Sequence, residues 1–261
     1  MKADEVASEN IMENRIIVSL DVPTEKQALD LVSLLSSDVE WFKIGLELTT
    51  SVGACIIRAL TERGVNVFLD GKFHDIPNTV MGAARAAVRL GAAMFNVHTS
   101  GGLDMMRAAA EASDSEARHL GIKRPLILGV TVLTSIDKRT MNEELRVSGE
   151  ITNHVVHLAT LAHTAGLDGV VASPHEIESI RAALPPDFLI VTPGVRPAWA
   201  STNDQRRVTT PAEAIARGAS YLVIGRPITK PPDSVGDPLQ AVKLILKELA
   251  SSSRLPGENK K

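Results

Sequence analysis

The chain has 261 residues, enough for one large domain or two small ones with a substantial core. Its formal net charge of −3 and its 3% aromatic content argue against nucleic acid or an anionic membrane as the main partner. The single cysteine, Cys55, excludes an internal disulfide and a multi-cysteine zinc site, and its apolar neighbours predict a thiol packed in the core. No apolar run approaches the ~20 residues of a membrane span and residues 1–15 lack a signal-peptide pattern, so we expect a cytoplasmic protein.

Apolar segments of strand type alternate with segments of helical periodicity along most of the chain. Strands are predicted at residues 16–22, 41–46, 67–72, 94–98, 126–133, 169–173, 188–192 and 221–224. Helices are predicted to begin near Pro23 and Pro77 and to cover residues 50–63, 103–119, 150–165, 174–183, 211–217 and 237–250. This α/β alternation predicts a single (β/α)8 TIM barrel with its active site at the C-terminal ends of the strands, and a doubly wound open sheet is the alternative. We assign the barrel to residues 15–250, a flexible N-terminal extension to residues 1–14 and a disordered tail to residues 251–261.

Three charged side chains, Asp70, Lys72 and Asp75, follow the apolar start of the third predicted strand. Side chains two residues apart on a strand share a face, so Asp70 and Lys72 are expected to point the same way. Burying such charges is costly unless they are paired, so their position needs an explanation. The alternative to a functional site is an ordinary ion pair, with Asp75 capping the helix that Pro77 begins.

Further polar residues lie near the ends of the other early strands: Asp21, Lys43, Asn96 and His98. Inward-pointing charges from adjacent strands of a barrel would meet at one mouth. A structural layer of salt bridges is the alternative, but removing water from several charges usually weakens stability. Charges collected at the C-terminal ends of the strands therefore favour a functional site.

Two turns that combine glycine, arginine and proline follow the seventh and eighth predicted strands. Residues 192–197 contain Arg196, and residues 224–228 contain Gly225 and Arg226. Loops at these positions of a barrel often bind phosphate, and arginine is a permanently charged donor suited to phosphate oxygens. Pairing with surface carboxylates is the alternative. The polar loop at residues 197–209 is long enough to act as a lid, so we predict an enzyme acting on a small phosphorylated molecule.

Signatures of metals and cofactors are weak in this sequence. His154, His157 and His163 lie on one predicted helix, but no carboxylate completes a metal-binding pattern with them. The sequence has neither a P-loop nor a dinucleotide-binding fingerprint after the first strand. We therefore expect neither a metal nor an organic cofactor.

The segment Asp70-x-Lys72-x-x-Asp75-Ile76-Pro77-Asn78-Thr79 resembles the signature of the orotidine 5'-phosphate decarboxylase family. Weaker matches follow in the family's order at residues 20–21, 42–45, 97–98, 132–135, 192–196 and 225–229. The resemblance covers about residues 16–250, and the third-strand motif is its most specific part.

The resemblance implies a homodimeric barrel that decarboxylates orotidine monophosphate to uridine monophosphate without metal or organic cofactor. It implies an alternating charge array of Lys43, Asp70 and Lys72 with Asp75 of the partner subunit, in which Lys72 is the proton donor. Ribose contacts are implied for Asp21 and Lys43, joined by Asp75 of the partner subunit and Thr79 of the partner subunit. The resemblance further implies pyrimidine contacts from Thr134 and Ser135, phosphate contacts from Gln205, Gly225 and Arg226 with support from Arg196, and further substrate contacts from Ile76 and Pro193.

Three alternatives stay open at this point. A related decarboxylase or aldolase acting on sugar phosphates could use Asp70 and Asp75 with magnesium. A Schiff-base aldolase could use Lys72 as its nucleophile. A non-catalytic barrel that binds a phosphorylated metabolite is disfavoured, because simple binding does not require buried like charges beside the ligand.

Overall fold

The computed structural model describes residues 15–200 and 209–252. Within these residues, eight parallel strands close into a barrel in which each strand pairs with the next and β8 pairs with β1. The strands are β1 (Ile16–Ser19), β2 (Trp41–Ile44), β3 (Asn66–Phe73), β4 (Met94–His98), β5 (Leu126–Val130), β6 (Gly169–Val171), β7 (Leu189–Pro193) and β8 (Tyr221–Ile224). The predicted (β/α)8 TIM barrel is confirmed, and the doubly wound alternative is wrong because the sheet closes.

Helices connect the strands on the outside of the barrel. They are α1 (Glu25–Leu35), α2 (Leu46–Val52), α3 (Cys55–Thr61), α4 (Pro77–Arg89), α5 (Gly102–Leu120), α6 (Ile151–Thr164), α7 (Ile177–Ala183), α8 (Pro211–Ala216), α9 (Arg226–Thr229) and α10 (Pro238–Ser252). Local sequence explains several of the starts. Thr24 caps α1 by accepting from the Gln27 N–H, and Thr210 and Glu213 form a reciprocal capping box at α8.

Two apolar regions hold the barrel together. The larger one lies between the strands and the helices and includes Val18, Phe42 and Phe95. The smaller one is a layer of inward-pointing side chains: Ile17, Trp41, Phe68, Met94, Leu128, Val191 and Val223. Because side chains alternate along a strand, the next inward positions on β1–β4 fall at Ser19, Lys43, Asp70 and Asn96. The alternation of side chains along each strand therefore places polar side chains directly above an apolar layer.

Several local predictions differ from the structure. The first strand, predicted to reach residue 22, ends at Ser19, and the sixth, predicted to reach residue 173, ends at Val171. The helix predicted at residues 50–63 is two helices, separated at Gly53, whose φ of 83° belongs to the left-handed region. Cys55 was predicted in the core, but it is exposed and its thiol donates to the Val52 carbonyl at 3.4 Å. Cys55 is the first residue of α3, and the buried face of this helix carries Ile56 and Ile57. Its apolar neighbours are therefore buried while Cys55 itself points to the exposed side. The fifth strand, predicted to reach residue 133, ends at Val130.

The ends of the chain and part of one loop lie outside the described residues. These are the predicted extension at residues 1–14, residues 253–261 of the predicted tail, and residues 201–208 of the predicted lid. The last helix ends at Ser252, two residues into the segment predicted as tail.

Among the helices that are described, none combines the length and the apolar character needed to cross a membrane.

Candidate active site

The candidate site lies at the C-terminal ends of β1–β4, where a chain of polar contacts crosses four neighbouring strands. Lys43 is only 8% exposed, and its ammonium lies 3.3 Å from Asp21 Oδ1 and 3.2 Å from Asp70 Oδ2. The Lys72 ammonium donates to the other oxygen of Asp70, Oδ1, at 2.6 Å. The structure thus brings together Asp21, Lys43, Asp70 and Lys72, with anions and cations alternating along the contact chain.

The ionisation of Asp70 is set by opposing influences. Burial acts to raise the pKa of its carboxyl, but the positive charges of Lys43 and Lys72 and hydrogen bonds from Lys72 and Asn96 outweigh this effect. The pKa of Asp70 is therefore held below its ordinary value, and the side chain is a carboxylate at neutral pH. A buried anion between two fixed cations can act electrostatically on a reacting group without first reorganising solvent.

Two further residues support this array. Ser19, which the sequence analysis did not name, is buried and its hydroxyl donates to Asp21 Oδ2 at 2.7 Å. Asn96, which was predicted near the end of its strand without a specific partner, is buried on β4, and its amide nitrogen donates to Asp70 Oδ1 at 2.7 Å. A polar residue two positions after a barrel-interior apolar residue is the sequence signal that could have identified Ser19 as well.

A pair of histidines borders the array. The His74 and His98 rings lie 5.3 Å apart between centroids. Burial lowers the pKa of His98 below its ordinary value, and the charges of His74 and Lys72 lower it further. His98 is therefore neutral at neutral pH and adds no net charge beside Asp70.

Asp75 stands apart from the array within its own chain. It is exposed, and its Oδ1 accepts from the Ile76 N–H at 2.6 Å. Helix α4 begins at Pro77 as predicted, but its N-cap residue is Ile76, so the alternative of Asp75 as the helix cap is wrong. Ile76 and Thr79 are exposed as well, and Ile76 keeps 66% of its surface accessible. These three residues face away from the core of their own barrel.

A cavity of about 720 Å³ extends from the array to the loops after β7 and β8. Its lining includes Ser19, Asp21 and Lys43 on one side, and Pro193, Gly194, Arg196, Gly225, Arg226 and Lys230 on the other. A β-carbon at Gly225 would lie 3.5 Å from Asp21 Oδ2, so the two sides approach closely where β8 meets β1. A β-carbon at Gly45, just beyond β2, would lie 3.0 Å from the Lys43 ammonium. The cavity volume falls within the range of small-molecule sites, roughly 300–1,000 Å³.

The remaining predicted site residues are placed as follows. Thr134 and Ser135 are exposed in the turn that follows β5. Gln205 lies outside the described residues. Among the residues that are described, no group of three or more His, Cys, Asp or Glu side chains is arranged to hold a metal ion.

The sequence of the chain matches a family model over residues 14–242, and the family is described as the orotidine 5'-phosphate decarboxylase / HUMPS family. The chain belongs to this family. Orotidine 5'-phosphate decarboxylase from Moorella thermoacetica is 53% identical over 236 residues, which cover 90% of this chain and 92% of that protein. The corresponding enzyme from Syntrophomonas wolfei is 49% identical and covers 91% of this chain and 98% of its own length.

Solved structures show the same relationship. The crystal structure of orotidine 5'-phosphate decarboxylase from Lactobacillus acidophilus superposes with a TM-score of 0.79 at 37% identity, over 90% of this chain and 99% of that one. Membership of the orotidine 5'-phosphate decarboxylase family confirms the predicted resemblance and the predicted enzyme class, a carboxy-lyase.

Proposed function

We propose that the chain converts orotidine 5'-phosphate to uridine 5'-phosphate and carbon dioxide in pyrimidine biosynthesis, without metal or organic cofactor and with Lys72 as proton donor. The supporting observation is the placement of Asp70 between two ammonium groups, 3.2 Å from that of Lys43 and 2.6 Å from that of Lys72. A carboxylate and an ammonium held side by side, next to the cavity-lining residue Lys43, fit a reaction that expels a carboxylate and then needs a proton.

In the proposed step, the bond between C6 of the pyrimidine and its carboxylate carbon breaks. Carbon dioxide leaves, and the electron pair of the broken bond stays on C6. The Lys72 ammonium stabilises this negative charge and transfers a proton to C6, which gives uridine 5'-phosphate. The resulting neutral amine regains its proton from water.

Asp70 contributes by keeping its negative charge close to the departing carboxylate. Two like charges ~4 Å apart repel by about 4 kcal/mol at an effective dielectric constant of about 20, and loss of neutral carbon dioxide relieves this repulsion. We assign the larger share of the rate enhancement to stabilisation of the transition state by Lys72. Binding energy from the distant phosphate offsets the repulsion in the bound substrate.

The other side of the cavity supplies that binding energy in this proposal. Arg196, Arg226 and the backbone N–H of Gly225 hold the phosphate together with Gln205, which lies outside the described residues. Asp21 and Lys43 hold the ribose hydroxyls, while Thr134 and Ser135 meet the pyrimidine. Support comes from the cavity lining, where Pro193, Arg196, Gly225 and Arg226 lie opposite Asp21 and Lys43.

We further propose that the protein works in the cytoplasm as a homodimer in which Asp75, Ile76 and Thr79 complete the partner's active site. Support comes from a run of exposed side chains over residues 74–79, next to the array and at the start of α4. Ile76 keeps 66% of its surface exposed, so this apolar side chain is available to pack against a second chain. An exposed Asp75 is then available to a second chain.

The test is the loss of orotidine 5'-phosphate absorbance on addition of purified protein, measured with and without excess chelator. We expect turnover at the same rate in both conditions. Turnover that stops with chelator would favour magnesium-dependent chemistry, and trapping of a covalent adduct by borohydride in the presence of substrate would favour a Schiff base on Lys72. Folded protein without any turnover would contradict the proposal.

A further inference from the structure

The hydrogen-bond ladder between β3 and β4 is irregular at the segment of β3 that carries Asp70 and Lys72. Leu69 pairs with Phe95 and Phe73 pairs with Val97, so between these pairs β3 has three residues, 70–72, where β4 has one. The extra residues of β3 bulge, and Lys72 takes a φ of 49° in the left-handed region. Such a conformation is strained in a residue other than glycine and persists only where the surroundings hold it.

Asn96 is the residue of β4 that lies opposite this bulge, between Phe95 and Val97. It is fully buried, with 0% of its surface exposed. Its Oδ1 accepts from the backbone N–H of Lys72 at 2.7 Å, in place of the ladder partner that the bulge removes. Its Nδ2 donates to Asp70 Oδ1 at 2.7 Å, the same oxygen that accepts from the Lys72 ammonium at 2.6 Å. One carboxamide therefore contacts both the backbone of Lys72 and the carboxylate of Asp70.

We propose that Asn96 is a positioning residue, whose carboxamide holds the bulge of β3 so that the Asp70 carboxylate and the Lys72 ammonium keep a fixed mutual geometry. Since it is fully buried, Asn96 acts through these two residues and not on the substrate. This inference rests on the proposed function. Reactions of this kind are sensitive to placement, and a displacement of ~1 Å can reduce the rate about 100-fold.

Charged and titratable groups reach Asp70 from each neighbouring strand. Lys43 approaches it from β2 and Lys72 from its own strand, while Asn96 and His98 lie on β4. Loss of the Asn96 donor leaves the two lysines in place and removes one of the influences that lower the pKa of Asp70. The pKa of Asp70 then rises, so the acidic limb of activity moves to higher pH.

The experiment compares two variants of Asn96 with a matched control. Asn96→Leu removes both hydrogen bonds with a side chain of the same branching, and Asn96→Asp keeps an acceptor for the Lys72 N–H but removes the donor to Asp70. Thr99→Val is the control, because it removes a buried 2.8 Å hydrogen bond to the Val130 carbonyl just beyond β4 without touching the array. Steady-state kinetics are measured across the acidic range, and calorimetry measures binding of uridine 5'-phosphate.

We expect both Asn96 variants to lose about 10- to 100-fold in kcat, with KM and the Kd of uridine 5'-phosphate changed less than about 3-fold. The acidic limb of kcat moves to higher pH in Asn96→Leu, and also in Asn96→Asp, where the added carboxylate repels Asp70. Thr99→Val keeps the kcat and the pH profile of the unmodified protein.

Three outcomes overturn the inference. The first is an unchanged kcat in a folded Asn96 variant. The second is a parallel loss of kcat and product binding with an unmoved acidic limb, which indicates general disruption of the fold. If Asn96→Leu does not fold, Asn96→Asp decides by the same criteria. The third is an unmodified protein without decarboxylase activity, which contradicts the proposed function as well, whereas the first two leave it standing.

Discussion

The two sides of the barrel mouth present their charges in different ways. On the side formed by β1–β4, Lys43 and Asp70 are inward-pointing strand side chains that sit above an apolar layer and are held by hydrogen bonds. On the side formed by the loops after β7 and β8, Arg226 is exposed and directly follows Gly225. At the centre of the first side, Lys43 and Asp70 are fixed charges with little access to water, whereas the second side has a cation that solvent and ligands can reach.

This difference corresponds to the two tasks in the proposed reaction. Charges that stabilise a transition state work best when they are fixed and partly desolvated, because no solvent must reorganise as the reaction proceeds. A cation that captures a phosphate must instead be accessible, and it can also attract the ligand over a distance. The comparison predicts that changes on the first side lower kcat, while changes on the second side raise KM.

The largest effect is expected for Lys72→Ala. Removal of the proposed proton donor and of its charge should lower kcat by about 10⁴-fold or more, because both proton transfer and charge stabilisation are lost. Binding of uridine 5'-phosphate should remain, since the second side of the mouth is unchanged. Single-turnover kinetics and calorimetry measure the two quantities.

Lys26→Ala is the control for this variant, since Lys26 is a surface residue that pairs only with Asp30 on α1 among the contacts described. Its kcat should equal that of the unmodified protein. Near-normal turnover of Lys72→Ala would rule out Lys72 as the proton donor.

Dimers formed from two different variants test whether a second chain contributes Asp75 to the active site on the first side. Asp70→Ala and Asp75→Ala should each be nearly inactive alone. In a mixed dimer, one site carries both changes and the other carries neither, so random exchange should restore about a quarter of full activity. Activity is measured after subunit exchange, with the fraction of mixed dimers determined by mass spectrometry. Mixed dimers that stay inactive would argue for active sites contained within one chain.

A smaller effect is expected for Arg226→Ala on the second side. Loss of one charged contact to phosphate should raise KM about 10- to 100-fold, with a smaller change in kcat. Initial rates over a range of substrate concentrations give both constants. Arg118→Ala, which removes an exposed arginine paired with Asp114 on α5, is the control and should leave KM unchanged. An unchanged KM in Arg226→Ala would contradict the phosphate assignment.

The sequence was sufficient to predict the barrel and the meeting of the main charges. The alternation of strands and helices predicted the fold, and the spacing of Asp70 and Lys72 indicated a shared face at the end of β3. The role of Asn96 could not be predicted, because it depends on the register between β3 and β4 and on a bulge of β3. Hydrophobic periodicity gives the face of each residue within its own strand, but it does not give the offset between strands.

The predictions for Cys55 and for the helix at residues 50–63 were wrong for a related reason. The helix prediction assumed one continuous helix, whereas the left-handed φ at Gly53 ends one helix and a second begins at Cys55. The Cys55 prediction relied on apolar neighbours, but in this second helix Ile56 and Ile57 are buried while Cys55 is exposed. A single glycine in a helical pattern is compatible with either outcome, and tertiary packing selects between them. Asp75 shows another limit, since this side chain is exposed within its own chain and its proposed role depends on a second chain.

The close approach of Gly45 to the Lys43 ammonium has a consequence for how this protein can change over evolutionary time. Even a methyl group at position 45 would lie 3.0 Å from that ammonium, so the smallest possible substitution there would move Lys43 relative to Asp21 and Asp70. Sequence change at position 45 is therefore expected to be restricted as long as the array is under selection. The exposed surface of α1 has no such restriction, so sequence change should accumulate there while the mouth of the barrel stays the same.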